Sequence, residues 1–411
     1  MIRQVAIRDV AILGAGPAGL SAAIALRARG IGGIVVIERE EIPGGVPRHC
    51  GHPAFGLREF HRLLGGPAYA RHLAAAASGI EIRCRTTVTA IEPGGRFRLL
   101  DPELGETSLE ARAILLAFGV RETPRSARLV GGDRPWGVVT TGALQQFVDL
   151  QKIRPFRRAV VIGSELVAFS ALLTLRHAGI ETAAMIEENP RITARRPGDL
   201  LARLALGIPI LASTRLIAIH GLTHVEAVEV EQAGQRRRIA CDGVVFTGCF
   251  RPETALLAGS HIALDAGSGG PAIDQYWRSS DPQVFVAGNL LHPVETAGIA
   301  WAEGAAAAEA IAMHLAGRLP TPGGEVPVSA TAPLRYVYPQ RLALPLAGLS
   351  PLLLKARAAR AARGHLRLLA DGRELWSRRL SLLPERRISL PADRLPRDGF
   401  SAITVEMEEE R

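Results

Sequence analysis

Two stretches of this chain carry one pattern, an apolar strand running into a glycine turn, a small-residue helix and a second apolar strand, and few folds accept that pattern twice. The first spans residues 8–40. Val10-Ala11-Ile12-Leu13 leads into Gly14-Ala15-Gly16-Pro17-Ala18-Gly19, then an alanine-rich helix, then a strand that ends in Ile37-Glu38. In such a turn Gly14 permits the bend, Gly16 lets a pyrophosphate approach the backbone, and Gly19 lets helix and strand pack closely. The helix N-terminus offers unpaired N–H groups and the positive end of its dipole to the phosphates. Glu38 lies 19 residues beyond Gly19, where an acid can accept hydrogen bonds from ribose hydroxyls. Strand, helix, second strand and acid fall in register, which favours a nucleotide site over a coincidental glycine-rich turn. Gly14, Gly16, Pro17, Ala18, Gly19, Glu38 and Arg39 are its candidate contacts.

The second unit, residues 158–187, departs where it matters. Ala159-Val-Val-Ile162 leads into Gly163-Ser164-Glu165-Leu166-Val167-Ala168, so Glu165 stands at the middle glycine position. Its side chain brings bulk and a negative charge to the place where a diphosphate would come closest. Like charges in a poorly solvated cleft cost on the order of several kcal/mol. The next strand ends Met185-Ile186-Glu187-Glu188, with no Arg to clamp a 2′-phosphate. The expectation is a nucleotide fold without its nucleotide; the opposing reading is that Glu165 turns outward and a dinucleotide still binds.

The 411 residues allow two or three domains with sizeable cores, and the 47% of hydrophobic residues is ordinary for an α/β protein. The net charge of +9 comes largely from scattered Arg, without a long basic run or a nucleic-acid motif, so a solvated basic surface is favoured over nucleic-acid binding. The four cysteines, Cys50, Cys84, Cys241 and Cys249, form no C-x-x-C pair and no zinc or iron–sulfur spacing. No metal and a reducing, cytoplasmic compartment are expected. No signal peptide or membrane-spanning run is legible; the nearest apolar stretch, Leu342 to Leu354, is short and contains Pro345 and Pro351.

Between and beyond these units the pattern predicts a helix over 57–76, short strands at 80–84 and through a meander at 87–112, a buried parallel strand at 113–117, strands at 225–231, 243–246 and 283–287, and a helix over 297–315. A Pro/Gly linker at 319–327 precedes a tail with a hairpin turning at Asp371-Gly372 and a last strand at 401–407. Lys355, Arg357, Arg360 and Arg363 read as one solvated helix face; the alternative is a contact with a partner subunit or an anionic membrane.

Three further segments carry a family resemblance. Glu38 followed by Gly44-Gly45, Ala117-Phe118-Gly119, and Val284-Phe-Val-Ala287-Gly288-Asn289 are similar, in that order, to motifs of glutathione-reductase-like flavoproteins. The resemblance covers residues 1 to about 318 and implies FAD. It adds Gly45, Ala117, Gly119, Gly288, Asn289 and Thr296 to the cofactor contacts, and points the helix that starts near Glu295-Thr296 at the flavin's pyrimidine edge. Asn289 stands where the family has Asp; its amide oxygen can also accept a hydroxyl. The implied fold is α/β, with two Rossmann-like FAD/NAD(P)-binding domains in three layers plus a small β-rich C-terminal domain. The divisions expected are 1–125 with 275–320 for FAD, 126–274 for a degenerate NAD(P)-like domain, and 325–411 for the tail, folded as a separate unit.

The stretch Gly44-Gly-Val-Pro-Arg48-His49-Cys50-Gly51-His52-Pro53-Ala-Phe55-Gly56 resembles its counterpart in bacterial amino-acid and opine oxidoreductase subunits, the group that includes hydrogen cyanide synthase flavin subunits. Thr140-Thr141-Gly142-Ala143-Leu144-Gln145 supports the same group. That resemblance implies dehydrogenation of a C–N bond in an amine, amino acid or opine, often within a complex with a partner oxidoreductase subunit. On that reading His49 and His52 are candidate bases. Arg48 is a candidate carboxylate partner, and Cys50 packs against the flavin. The equal alternative is a polar loop that fixes its own conformation. Many members of the group carry a cysteine-rich iron–sulfur module, whereas this tail has no cysteine. An NAD(P)H-dependent flavin reductase and a non-catalytic flavin-fold subunit remain as other readings.

Overall fold

The computed structural model describes residues 3–4, 7–194, 207–321, 323–346, 353–384 and 386–410. The first glycine-turn unit forms β1 (Arg8–Leu13), α1 (Pro17–Ala28) and β2 (Ile34–Ile37). After α2 (Gly66–Ala76) and β3 (Glu81–Arg83) comes a meander of β4 (Thr87–Glu92), β5 (Arg96–Asp101) and β6 (Gly105–Leu116). β3, β2 and β1 lie parallel in that order, followed by the inner half of β6 and then by Val284–Val286. β2, Val284–Val286 and the inner parts of β1 and β6 are buried on both faces, which is why they read as unbroken apolar runs, whereas β3 at the edge is only partly buried. Val10, Ile12 and Val36 face α1 and the helix Ala297–Leu315, whereas Ala11, Leu13 and Val35 face the side that carries Phe97 and Leu99 of the meander. Helices, sheet and meander thus stack in three layers.

The second unit forms β7 (Val138–Thr140), α3 (Thr141–Gln145), β8 (Arg158–Ile162), α4 (Leu166–His177) and β9 (Glu181–Ile186). An antiparallel ribbon of β10 (Thr214–His220), β11 (Ala227–Gln232) and β12 (Gln235–Ala240) precedes β13 (Gly243–Phe246), which inserts between β7 and β8. The chain then returns to the first sheet as β14 (Val284–Val286) and α5 (Ala297–Leu315). The tail builds two sheets around a core of its own. One holds β15 (Gly324–Ala330), β17 (Arg341–Leu344), β19 (Ala362–Ala370), β20 (Arg373–Leu382) and β22 (Ile403–Glu409); the other holds β16 (Leu334–Tyr338), β18 (Leu353–Ala358) and β21 (Arg387–Pro391). Leu342, Leu354, Leu366, Ile388, Ile403 and Val405 fill the space between them. Asp371 and Gly372 both take positive φ, 46° and 79°, as a type I′ hairpin turn requires.

The structure corrects three sequence expectations. The helix expected over 57–76 starts only at Gly66, with Gly65 as its N-cap and Pro67 in its first turn. The preceding residues instead make a small antiparallel pair, Pro53–Phe55 with Leu64–Gly65. The last strand of the meander and the buried strand expected at 113–117 are one continuous strand, β6. Its first half alternates in burial against β5, and its second half is buried on both faces between β1 and β14. Finally, Lys355 to Arg363 is no helix face. Leu354, Ala356 and Ala358 point into the sandwich at strand spacing, and Lys355 and Arg357 are buried on the opposite face. The short stretch was ambiguous because alanines suit either period when charges occur at i and i+2. Part of the apolar stretch Leu342–Leu354 lies outside the described residues. Among those described, no helix is long and apolar enough to cross a membrane.

Candidate functional site

The ends of β1, β2, β6 and β14 converge on the first glycine turn. Gly14 has φ of +112°, and a Cβ there would lie 2.5 Å from the Ala117 carbonyl oxygen, so the turn is pressed against the end of β6. Gly19 is equally confined: a Cβ there would overlap the Gly14 carbonyl oxygen. Gly16 differs. The nearest atom to a Cβ there is the Gly45 Cα at 4.0 Å, so open space lies over its backbone. α1 starts at this point with no side-chain cap and no acid in its first turn, which leaves its N-terminal N–H groups and dipole to an anion.

Glu38 is buried beside the turn. Its carboxylate accepts from Ala15 N at 2.8 Å and Glu40 N at 3.0 Å, tying the end of β2 to the glycine turn. Arg39 is exposed next to it. Gly45, at φ of +62°, packs on the turn so closely that a Cβ would lie 2.8 Å from Gly16 Cα. Ala117 bonds Leu13 through its backbone, and Gly119 follows with positive φ. Gly288 sits against Ala18. An uncapped helix end, a clear space over Gly16 and a buried carboxylate at the strand end fit the pyrophosphate and ribose of a dinucleotide.

Asn289 has another occupation. Its amide accepts from Glu295 N at 2.8 Å and donates to Glu295 O at 3.1 Å, closing the loop before α5. A carboxylate could not make the second bond, which accounts for Asn at the family's Asp position. Thr296 is the N-cap of α5 and makes no side-chain capping bond.

Residues 46–52 bring His49, Cys50 and His52 to the junction with α3. Arg48 is held by Glu40 at 3.1 Å and by the Gly45 carbonyl at 3.2 Å, so it braces its own loop. His49 is buried; burial first, and the Arg48 charge second, bring its pKa down to about 4, which keeps the imidazole neutral at pH 7. Cys50 donates to Gln145 Oε1 at 3.3 Å; burial and the nearby Asp149 and Glu122 charges push its thiol up to about 12, too high for a nucleophile. His52 is half-buried, tilted against Phe55 at 5.6 Å, and burial lowers its pKa too. Gln145 and Asp149 escaped the sequence reading as contacts of this loop. The Thr140–Gln145 motif was their signal: Thr140 caps α3 and so aims Gln145, which also donates to Ser170 Oγ at 2.7 Å.

The second glycine turn is filled by its own side chains. Glu165 folds back over the turn: Oε2 accepts from Ser164 N at 3.1 Å, and a Cβ on Gly163 or Gly248 would meet its carboxylate oxygens within 2.8 Å. Ser164 donates to Glu187, the acid at the end of β9, which also accepts from Asn189. The backbone N–H groups of Thr193 and Ala194 bond to Ser164 as well, laying the next segment across the turn.

The sequence reading also missed a buried ionic seam between α5 and the tail. Glu303 Oε1 lies 3.0 Å from Lys355 Nζ and 3.1 Å from His292 Nε2, with the Tyr338 hydroxyl at 3.4 Å. Burial alone would push the Glu303 carboxyl up, but His292 and Lys355 together bring it down to about 2. Glu295 lies 2.7 Å from Arg357 and 3.4 Å from Arg387. His292 thus faces Glu303 through Nε2 and stacks on Tyr338, with 4.5 Å between ring centroids. Gln275 and Ala343 exchange two more bonds across the same boundary, so the tail, with a core of its own, is docked on the first domain.

Comparison with known proteins gives the family and the fold. The chain is 26% identical to the alpha subunit of sarcosine oxidase from Rhizobium meliloti, over 76% of this chain and 31% of that one. It is 28% identical to the NAD-dependent dihydropyrimidine dehydrogenase subunit PreT of Escherichia coli, over 75% and 68%, and 27% identical to an opine oxidase subunit of Agrobacterium tumefaciens, over 72% and 63%. The chain thus spans about a third of the first relative's length. Thioredoxin reductase of T. acidophilum superposes with a TM-score of 0.63 at 22% identity, covering 74% of this chain and 97% of that one, and shares the fold. The family model described as pyridine nucleotide-disulphide oxidoreductase matches residues 8–304; the chain belongs to that family, and its cofactor is FAD.

Proposed function

We propose that the chain dehydrogenates a C–N bond of an amino acid, opine or amine and hands the electrons to a non-NAD acceptor or partner subunit. The observation that carries this reading is the position of Glu165, whose carboxylate lies between Gly163 and Gly248. A dinucleotide diphosphate would have to enter that space against a like charge. With residues 126–274 acting as a scaffold and no cysteine pair in the sequence, electrons enter neither from NAD(P)H nor through a disulfide. The sarcosine oxidase and opine oxidase relatives, each named as one subunit of its enzyme, support a C–N substrate and a partner subunit.

The FAD contacts in this reading are Gly14, Gly16, Pro17, Ala18, Gly19, Glu38, Arg39, Gly45, Ala117, Gly119, Gly288, Asn289 and Thr296, with the N-terminus of α5 toward the pyrimidine edge. When bound, FAD would supply the two-electron acceptor for the substrate's hydride. His52 is the better base of the two histidines, because it is only half-buried, whereas neutral His49 and the protonated Cys50 thiol shape the wall. His52 accepts the proton from the substrate nitrogen, leaving an imine. Arg48 orders the loop through Glu40.

The PreT relative, named NAD-dependent, favours a second reading in which NAD(P)H reduces the flavin. Anaerobic mixing of the purified yellow protein with amines, amino acids, opines, NADH and NADPH separates the two. Bleaching by a C–N substrate and not by the nicotinamides is expected. Fast bleaching by NADH or NADPH alone overturns the proposal.

A further inference from the structure

Two carboxylates belong to the segment that opens α5. Glu295 directly precedes the N-cap Thr296, and Glu303 stands two turns further on. Both side chains are buried and both face cations of the tail, with His292 of the preceding loop also beside Glu303. Arg357 and Arg387 reach Glu295 from β18 and β21, and Lys355 reaches Glu303 from β18. The loop between β14 and α5 is held by the same tail residues: Tyr336 donates to the Pro293 carbonyl at 3.2 Å, and Arg357 to the Val294 carbonyl at 3.4 Å. An unmatched carboxylate beside a helix N-terminus would cancel the positive end of the dipole. A buried charge is also poorly screened by solvent.

We propose that the C-terminal sandwich sets the reduction potential of the flavin, with Arg357 as a positioning residue that neutralises Glu295 and keeps the α5 N-terminus electropositive. The inference rests on the reading that this helix end faces the flavin's pyrimidine edge. Two-electron reduction places negative charge on that part of the ring, and preorganised positive charge beside it stabilises the reduced form. The tail then acts on the chemistry without touching substrate.

The test is the flavin midpoint potential of the full-length, FAD-loaded chain, measured by spectroelectrochemical titration. Arg357→Met leaves Glu295 with less positive charge nearby and should favour the oxidised form by about tenfold, which for a two-electron couple is a fall of about 30 mV. Glu295→Gln should move the potential the other way. The neutral pair, Glu295→Gln with Arg357→Met, should return near the parent. A merely structural brace is broken by either single change, so it moves both potentials in the same direction. Unmoved potentials, or shifts of one sign, overturn the proposal. If Arg357→Met fails to fold, the rise expected in Glu295→Gln decides the matter alone. A parent protein that takes up no FAD speaks against the flavin assignment itself; loaded variants with unmoved potentials speak only against this role of the tail.

Discussion

Lys355 Nζ lies 3.0 Å from Glu303 Oε1, with both side chains almost wholly buried, one on a strand of the C-terminal sandwich and the other on the helix that covers the first sheet. Removing one partner of such a pair is far costlier than removing both, because a lone buried charge remains. Lys355→Met should therefore destabilise the protein by about 3–5 kcal/mol. Adding Glu303→Met should recover much of that loss. Urea unfolding followed by circular dichroism checks both values. A single variant within about 0.5 kcal/mol of the parent would mean that His292 satisfies Glu303 on its own, since changes that remove no specific interaction fall in that range.

Gly16→Val should leave the fold intact and abolish flavin loading. The backbone at Gly16 is extended, with φ of −78° and ψ of −174°, and a Cβ meets nothing closer than 4.0 Å. What the side chain fills is the approach of the pyrophosphate. The expected result is an unchanged far-ultraviolet spectrum with no visible flavin absorbance. A yellow Gly16→Val protein would move the phosphate site elsewhere.

NADH and NADPH should not reduce the flavin at a useful rate. If the Glu165 carboxylate is the barrier, Glu165→Gly should bring measurable dinucleotide binding by calorimetry. No gain would place the obstruction in Thr193 and Ala194, whose backbone bonds cross the same turn.

His52→Ala should keep the flavin spectrum and slow reduction by substrate by about 10²–10⁴, the usual loss of a general base. Parent-like turnover in this variant would make the loop structural and direct attention to Gln145 and Asp149.

His49 makes a pH prediction with a definite sign. Its pKa is about 4 in the fold against an ordinary 6.5, so the unfolded chain binds the proton first as pH falls. Its contribution to stability is complete above pH 6.5, is lost as pH drops toward 4, and amounts to roughly 3 kcal/mol over that window. Unfolding free energies of the parent and His49→Gln, compared at pH 7 and pH 4.5, should differ in slope by that contribution. Parallel profiles would show that His49 does not titrate out of its buried state.

The nucleotide units were legible because glycine turns and doubly buried strands leave unambiguous marks. α1, β1, β2, α4 and α5 follow the sequence pattern closely. The tail hairpin was equally plain, since Asp371-Gly372 is a turn that demands positive φ. What escaped was long-range. Nothing near Lys355 or Arg357 in the sequence announces that Glu303 and Glu295 await them, and alternation over so few residues competes with helical spacing. At the candidate site, Gly14, Gly16, Gly19 and Glu38 gather at one turn, as expected of a backbone motif, whereas Arg48 faces Glu40 and Cys50 faces Gln145. Motifs specify backbone approach well; they specify side-chain partners from other segments poorly.

The two bonds between Asn289 and the Glu295 backbone make the glycine motif at the end of β14 irreversible in one direction. Exchanging Asn289 for the Asp usual in the family supplies an acceptor for a ribityl hydroxyl but removes the amide donor that faces the Glu295 carbonyl, and sets a carboxylate against that oxygen. The loop that carries His292 would lose the clasp that closes it, while Arg357 still held Glu295. A chain redesigned toward the family consensus at this single position should therefore bind flavin less well.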